Sequence, residues 1–216
     1  LDGIPVFLTK TGFTGKSEEA GYGFELYMLG AEHASDLWEL CFKYGARHNL
    51  QPTGPSNIIR VEAGILTCNF DMGPWVTPLH VYNKRRREML VNPDKLALDT
   101  GDGFVGKDAL RTISENGVRE RLVGFEILDY PEKSIFTTPF GGVEKGYWDV
   151  RIDCSGDVPR YLKEANSSLE YSPMLGKNIG YAMLPIENTH AGQQFTLLAP
   201  SGREFAARVV PVPFAR

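Results

Sequence analysis

The chain has 216 residues, 42% hydrophobic and 23% charged, with a formal net charge of -4. This is enough apolar material for a core in one large domain or two small ones. The acidic balance gives no general electrostatic pull toward nucleic acid or an anionic membrane. No apolar run approaches the length of a membrane span, and the start, LDGIPVFLTK, lacks the basic leader and small-residue cleavage site of a signal peptide. Cys41, Cys68 and Cys154 are far apart and odd in number, so neither a disulfide framework nor a zinc site is indicated. A reducing compartment is expected: the cytoplasm, or the mitochondrial matrix in a eukaryote.

In chain order, IPVFLTK reads as a strand, and TGFTGKSEEAGYGFELYML as a glycine-rich turn entering a second strand over 23–29. The stretch AEHASDLWELCFKYGARHN places Leu37, Trp38, Cys41 and Tyr44 on one face and predicts a helix ending near Gly45. PSNIIRVEAGILTCNFDM predicts another helix, starting near Ser56, with Ile58, Val61 and Ile65 as its buried stripe. Glu62 lies at the edge of that stripe. Arg60, about 200° away around the helix, points elsewhere. An inward carboxylate needs donors, and the residues alone leave three sources open: a backbone group, an arginine inside the fold, or a ligand. Beyond it come a basic turn, a strand around Met89–Val91 and a short helix from Lys107 to Glu115, stopped at Gly117.

From Val118 onward the pattern changes to strands and turns: RLVGFEIL, GGVEKGYWDVRID, a polar stretch GDVPRYLKEANSSLEYSP, then NIGYAMLP, QQFTLLAP and EFAARVVPVPF, with Ser201-Gly202 as a turn. Weak helical periodicity there argues for a small antiparallel barrel or sandwich. The expected division is 1–117 and 118–216.

TKTGFTG, GFEL, PTGPSNIIRVEAGIL, FDM, TPL, GDGFVGKDAL, RLVGFEIL, SPMLGKNIGYAMLP and VVPVPF resemble, in order and across almost the whole chain, the glycine-cleavage T-protein family. The resemblance implies an α+β fold: the second half of the folate-binding domain (1–117), then a C-terminal antiparallel β-barrel (118–216). It implies a tetrahydrofolate-dependent transfer of a methyl or aminomethyl group to the folate. GPSNIIRVEAGIL with FDM leans slightly toward the dimethylsulfoniopropionate demethylase-like members. Two alternatives are a non-catalytic folate-binding protein and the folate domain of a sarcosine- or dimethylglycine-oxidising enzyme.

In the same family the glutamate matching Glu62 binds the pterin ring, whose 2-amino group and ring N–H are adjacent donors suited to a carboxylate's two oxygens. The match extends to Phe13, standing where relatives carry tyrosine, and to Glu25 in GFEL, which strand alternation otherwise makes a solvent-facing residue. Tyr82 and Arg85, with Lys84, Arg86 and Arg87, follow TPL, where relatives wall the folate site. Guanidinium groups there suit the carboxylates of a folate tail, although a basic turn is more commonly just solvated. Tyr181 and Met183 are expected in the second domain's core. The family's catalytic aspartate lies in the first part of the fold, outside these residues, so no catalytic residue is assigned. The implied partners are a small methylated or aminomethylated substrate, an N-terminal part of the same fold and a lipoyl-carrier protein.

Overall fold

The structure, a computed structural model, describes residues 1–10, 23–54, 56–81, 98, 103–129, 147–153 and 158–214. It is a mixed helix and sheet fold whose larger part is a curled antiparallel sheet. β1 (Phe7–Thr9) and β2 (Glu25–Tyr27) pair antiparallel, Phe7 opposite Tyr27 and Thr9 opposite Glu25, as the two apolar runs around a glycine-rich turn predict. Helix α1 (Ala34–Gly45) ends at the expected glycine. Helix α2 (Asn57–Glu62) has only six residues, and α3 (Lys107–Asn116) stops against Gly117. The strand expected around Met89–Val91 lies outside the described residues.

Seven strands follow or enclose the barrel: β3 (Glu120–Ile127), β4 (Asp149–Ile152), β5 (Arg160–Leu162), β6 (Asn166–Ser172), β7 (Lys177–Pro185), β8 (Gln194–Leu198) and β9 (Glu204–Val210). Their order is β5-β4-β8-β9-β3-β7-β6. The sheet curls so far that its β6 end returns to the residue before β4. There the Asn166 amide donates to the Trp148 carbonyl at 3.3 Å, and the Trp148 amide donates to Asn166 Oδ1. Side chains alternating inward from the strands fill the middle: Val123, Phe125, Trp148, Val150, Leu169, Leu184, Phe195, Leu197, Phe205 and Val209 are all buried in one cluster.

The polar stretch over 156–173 is where the structure differs most from the sequence pattern. NSSLEYS is not a loop but β6, and six of its seven residues are buried. Its outer face carries Ser168, Glu170 and Ser172 although it does not meet solvent. It lies under α2, and Ser168, Glu170 and Ser172 recur at the two-residue step of one strand face.

The outer face of β3 and β7 holds a second apolar cluster, in which Val61 of α2 meets Leu122, Ile179 and Tyr181, with Met183, Val212 and Phe214 beside them. A side chain at Gly124 would place its Cβ 2.3 Å from Val212 and 2.9 Å from Phe214. The glycine in RLVGFEIL therefore lets the segment after β9 cross β3 closely enough to reach α2.

Candidate folate site on helix α2

Six residues are too few to hold a helix by propensity and internal hydrogen bonds alone, so the end of α2 depends on closures from outside. Gly64, at φ +75°, turns the chain into the left-handed region. The Ile65 amide returns to the Arg60 carbonyl at 2.9 Å and the Gly64 amide to the Val61 carbonyl at 3.0 Å, the paired closure that a C-terminal glycine permits. Ile65 is buried, as the apolar stripe predicts, but by this turn and not by helix. The barrel adds two donors: Tyr181 Oη also donates to Val61 O at 2.9 Å, and the Phe214 amide donates to Glu62 O at 3.0 Å. The sequence pattern predicts Tyr181 in the second domain's core; it lies instead in the outer cluster under α2, as a clamp on the helix.

Four carboxylates are buried among the described residues: Glu62, Asp71, Glu126 and Glu170. Their partners separate them. Asp71, of the FDM segment, is saturated. Its Oδ2 accepts from Arg60 Nη1 at 2.7 Å and from the Thr67 amide at 3.0 Å, and its Oδ1 accepts from Ser167 Oγ at 2.8 Å and Ser168 Oγ at 2.5 Å. These fill the four acceptor positions a carboxylate offers. Adjacent strand residues ordinarily point to opposite faces, and the register shift between Asn166 and Leu169 is what brings Ser167 and Ser168 to the same group.

Arg60 is 1% exposed. Besides Asp71 it donates to Asn57 Oδ1 at 3.2 Å, Ile65 O at 3.1 Å and Ser168 Oγ at 2.8 Å. It does point away from Glu62, as the helical angle requires, but into a buried seam. The sequence carried one signal of this, the aspartate of FDM eleven residues on, and nothing that paired the two.

Glu126 is held by two cations, Lys177 Nζ at 2.6 Å and Arg208 Nη2. Burial raises its pKa, but these partners outweigh it and hold the carboxyl below the usual range. Glu170 sits under α2. Burial pushes its carboxyl up to about 7, against the charge of Arg60 and a hydrogen bond from Asn57, which both lower it.

Glu62 also has acceptor capacity left, as Glu170 does with its hydrogen bond from Asn57. It is 7% exposed, and its Oε1 accepts a 2.5 Å hydrogen bond from Ser172 Oγ. Its Oε2 accepts none among the described residues. Neither internal partner open from the sequence, a backbone group or an arginine, holds its side chain there.

Of the other sequence-derived candidates, Glu25 lies on β2, half-buried, accepting from Tyr27 Oη at 2.9 Å. Phe13, Tyr82, Lys84, Arg85, Arg86 and Arg87 lie outside the described residues. His80 is tied into a 3-10 turn, with Nδ1 2.8 Å from Thr77 Oγ1. A separate hollow of about 600 Å³ lies between the loop over 69–76 and the turn before β6, walled by Phe70, Trp75, Tyr161, Asn166 and Met183; Glu62 does not line it.

Residues 167–215 match the family model described as the glycine cleavage T-protein C-terminal barrel domain. That match assigns the C-terminal barrel segment, residues 167–215, to the glycine cleavage T-protein family. An aminomethyltransferase of Desulfitobacterium hafniense is 28% identical over 216 residues, covering 99% of this chain and 50% of that protein. One from Thermoanaerobacter pseudethanolicus is 29% identical over 200 residues, covering 92% and 45%. The crystal structure of the glycine cleavage system aminomethyltransferase T from Bartonella henselae superposes with a TM-score of 0.66 at 18% identity, over 97% of this chain and 50% of that one. The chain therefore shares that fold and spans about half the length of the curated relatives it matches. Among its described residues no helix is long and apolar enough to cross a membrane.

Proposed function

We propose that this chain forms part of a tetrahydrofolate-dependent transferase that moves a methyl or aminomethyl group from a small substrate to the folate, with Glu62 as acceptor for the pterin head. The observation that supports it is the contrast between the two carboxylates of one helix-loop segment: Asp71 has four donors and Glu62 has one. Glu62 as a residue is 7% exposed, so a ligand that covers its carboxylate must supply donors to the open positions. The fit to a pterin is chemical: two adjacent N–H groups match a carboxylate that still offers acceptor positions on both oxygens. Tetrahydrofolate, when bound, supplies N5 as the atom that takes up the one-carbon unit. Glu62 orients the ring. Glu25, Phe13, Tyr82 and Arg85 complete the proposed ligand contacts.

The rest of the fold in the relatives is the natural partner of the N-terminal elements here, where Phe7, Leu8, Phe24, Leu29 and Trp38 are exposed. It is also where the reading places the catalytic aspartate. For an aminomethyl donor, a lipoyl-carrier protein is the proposed source.

The test is a screen of methylated and aminomethylated donors with tetrahydrofolate on the full-length protein, detecting 5-methyl- or 5,10-methylene-tetrahydrofolate by mass spectrometry, with affinity by calorimetry. Glu62→Gln is expected to weaken folate binding by about 1–3 kcal/mol while the thermal midpoint stays nearly constant. Unchanged affinity removes Glu62 from the site. Folate binding without turnover of any donor assigns the protein to the non-catalytic binders.

A further inference from the structure

We propose that Ser172, a residue of the barrel and not of the folate-binding part, is the positioning residue for Glu62. This rests on the reading of Glu62 as the pterin acceptor. Ser172 is fully buried, and its hydroxyl is directional because both of its roles are used. The Leu175 amide donates to Ser172 Oγ at 3.0 Å, and Ser172 Oγ donates its one proton to Glu62 Oε1 at 2.5 Å. The turn after β6, SPML, therefore fixes the hydroxyl, and the hydroxyl fixes the carboxylate.

A donor held in this way selects the rotamer of Glu62 that leaves Oε2 uncommitted. The backbone of Glu62 is held by the same body, through Phe214 to its carbonyl and Tyr181 to the carbonyl before it. Side chain and main chain of the proposed acceptor are thus registered against one rigid sheet, which is the preorganisation that orientation of a bound ring requires. The outer face of β6 has a division of labour: Ser168 serves the internal Arg60–Asp71 pair, whereas Ser172, four residues on, serves a group with open capacity.

The experiment measures tetrahydrofolate affinity by calorimetry on the full-length protein carrying Ser172→Ala, Glu62→Gln and both, each with its thermal midpoint. Ser172→Cys serves as a nearly isosteric variant with a weak donor, should the alanine variant fold poorly. The expected result is an affinity about tenfold lower for Ser172→Ala, the size of one hydrogen bond to a charged group, and an intermediate loss for Ser172→Cys. No further loss is expected when Ser172→Ala is added to Glu62→Gln, because a residue acting through Glu62 is not additive with it. Two outcomes overturn the proposal: Ser172 variants that bind normally while Glu62→Gln binds weakly, and full additivity of the two changes. The first of these leaves Glu62 as the pterin acceptor. Unchanged affinity in Glu62→Gln removes that reading itself and the role of Ser172 with it.

Discussion

Helices α1 and α2 invert the usual relation between length, pattern and burial. α1 has twelve residues and an apolar stripe, yet none of its residues is buried and Trp38 is 58% exposed. α2 has six residues, and three of them, Arg60, Val61 and Glu62, are buried, two of them charged. A helical pattern says which face of a helix wants cover. It does not say whether the cover is present in the same chain or whether it is apolar. α1 shows a stripe whose cover is not among the described residues, and α2 shows a helix held by buried hydrogen bonds to a strand that is polar for that reason.

The strongest way to break this contrast is to open the seam under α2. Asp71→Ala leaves Arg60 buried without its ion-pair partner and deprives Ser167 and Ser168 of an acceptor, and a loss of about 3–5 kcal/mol is expected in urea unfolding. A loss below about 1 kcal/mol would mean that the seam follows the packing of Val61 instead of enforcing it.

Next in size is a pH effect at Glu170. Its pKa is raised in the folded chain from 4.5 to about 7, so the folded state retains a proton that the unfolded state has released. Its contribution to stability is therefore full below about pH 4.5, falls as pH rises, and levels off above about 7, with a limiting slope of about 1.4 kcal/mol per pH unit. Glu170→Gln should flatten the stability profile across that window and raise stability at its upper end. An unchanged slope would place the carboxyl in a more solvated setting than the seam provides.

The smallest effect is expected at α1. Trp38→Ala in the chain alone should cost no more than about 1 kcal/mol, since this exposed ring gives up a contact with Phe42 one turn on in the same helix. A loss of about 2 kcal/mol or more would show that its stripe already has a partner.

The legibility of this fold follows from where water lies. β7, β8 and β9 carry runs that their buried inner faces require, and their positions follow from the sequence. The β1–β2 pair and the ends of α1 and α3 are marked by turn and glycine positions in the same way. β6 was illegible because period-two alternation is recognised only when one face is apolar and the other solvated, and here Ser168, Glu170 and Ser172 face protein. Arg60 was legible in direction only, since helix geometry places a side chain but not what stands opposite it. For the site, the inward position of Glu62 could be read from its neighbours. Ser172 could not, because 110 residues separate it from Glu62, and no local pattern reports a partner at that distance.

The crossing of the segment after β9 over Gly124 bears on the order in which the molecule is made. The amide of Phe214 closes onto the carbonyl of Glu62, so the helix is fastened by a residue synthesised long after it. Contacts of such separation form late. Until this one forms, α2 keeps the Tyr181 clamp but lacks the Phe214 one, and the main-chain carbonyl of the glutamate is without its fastening.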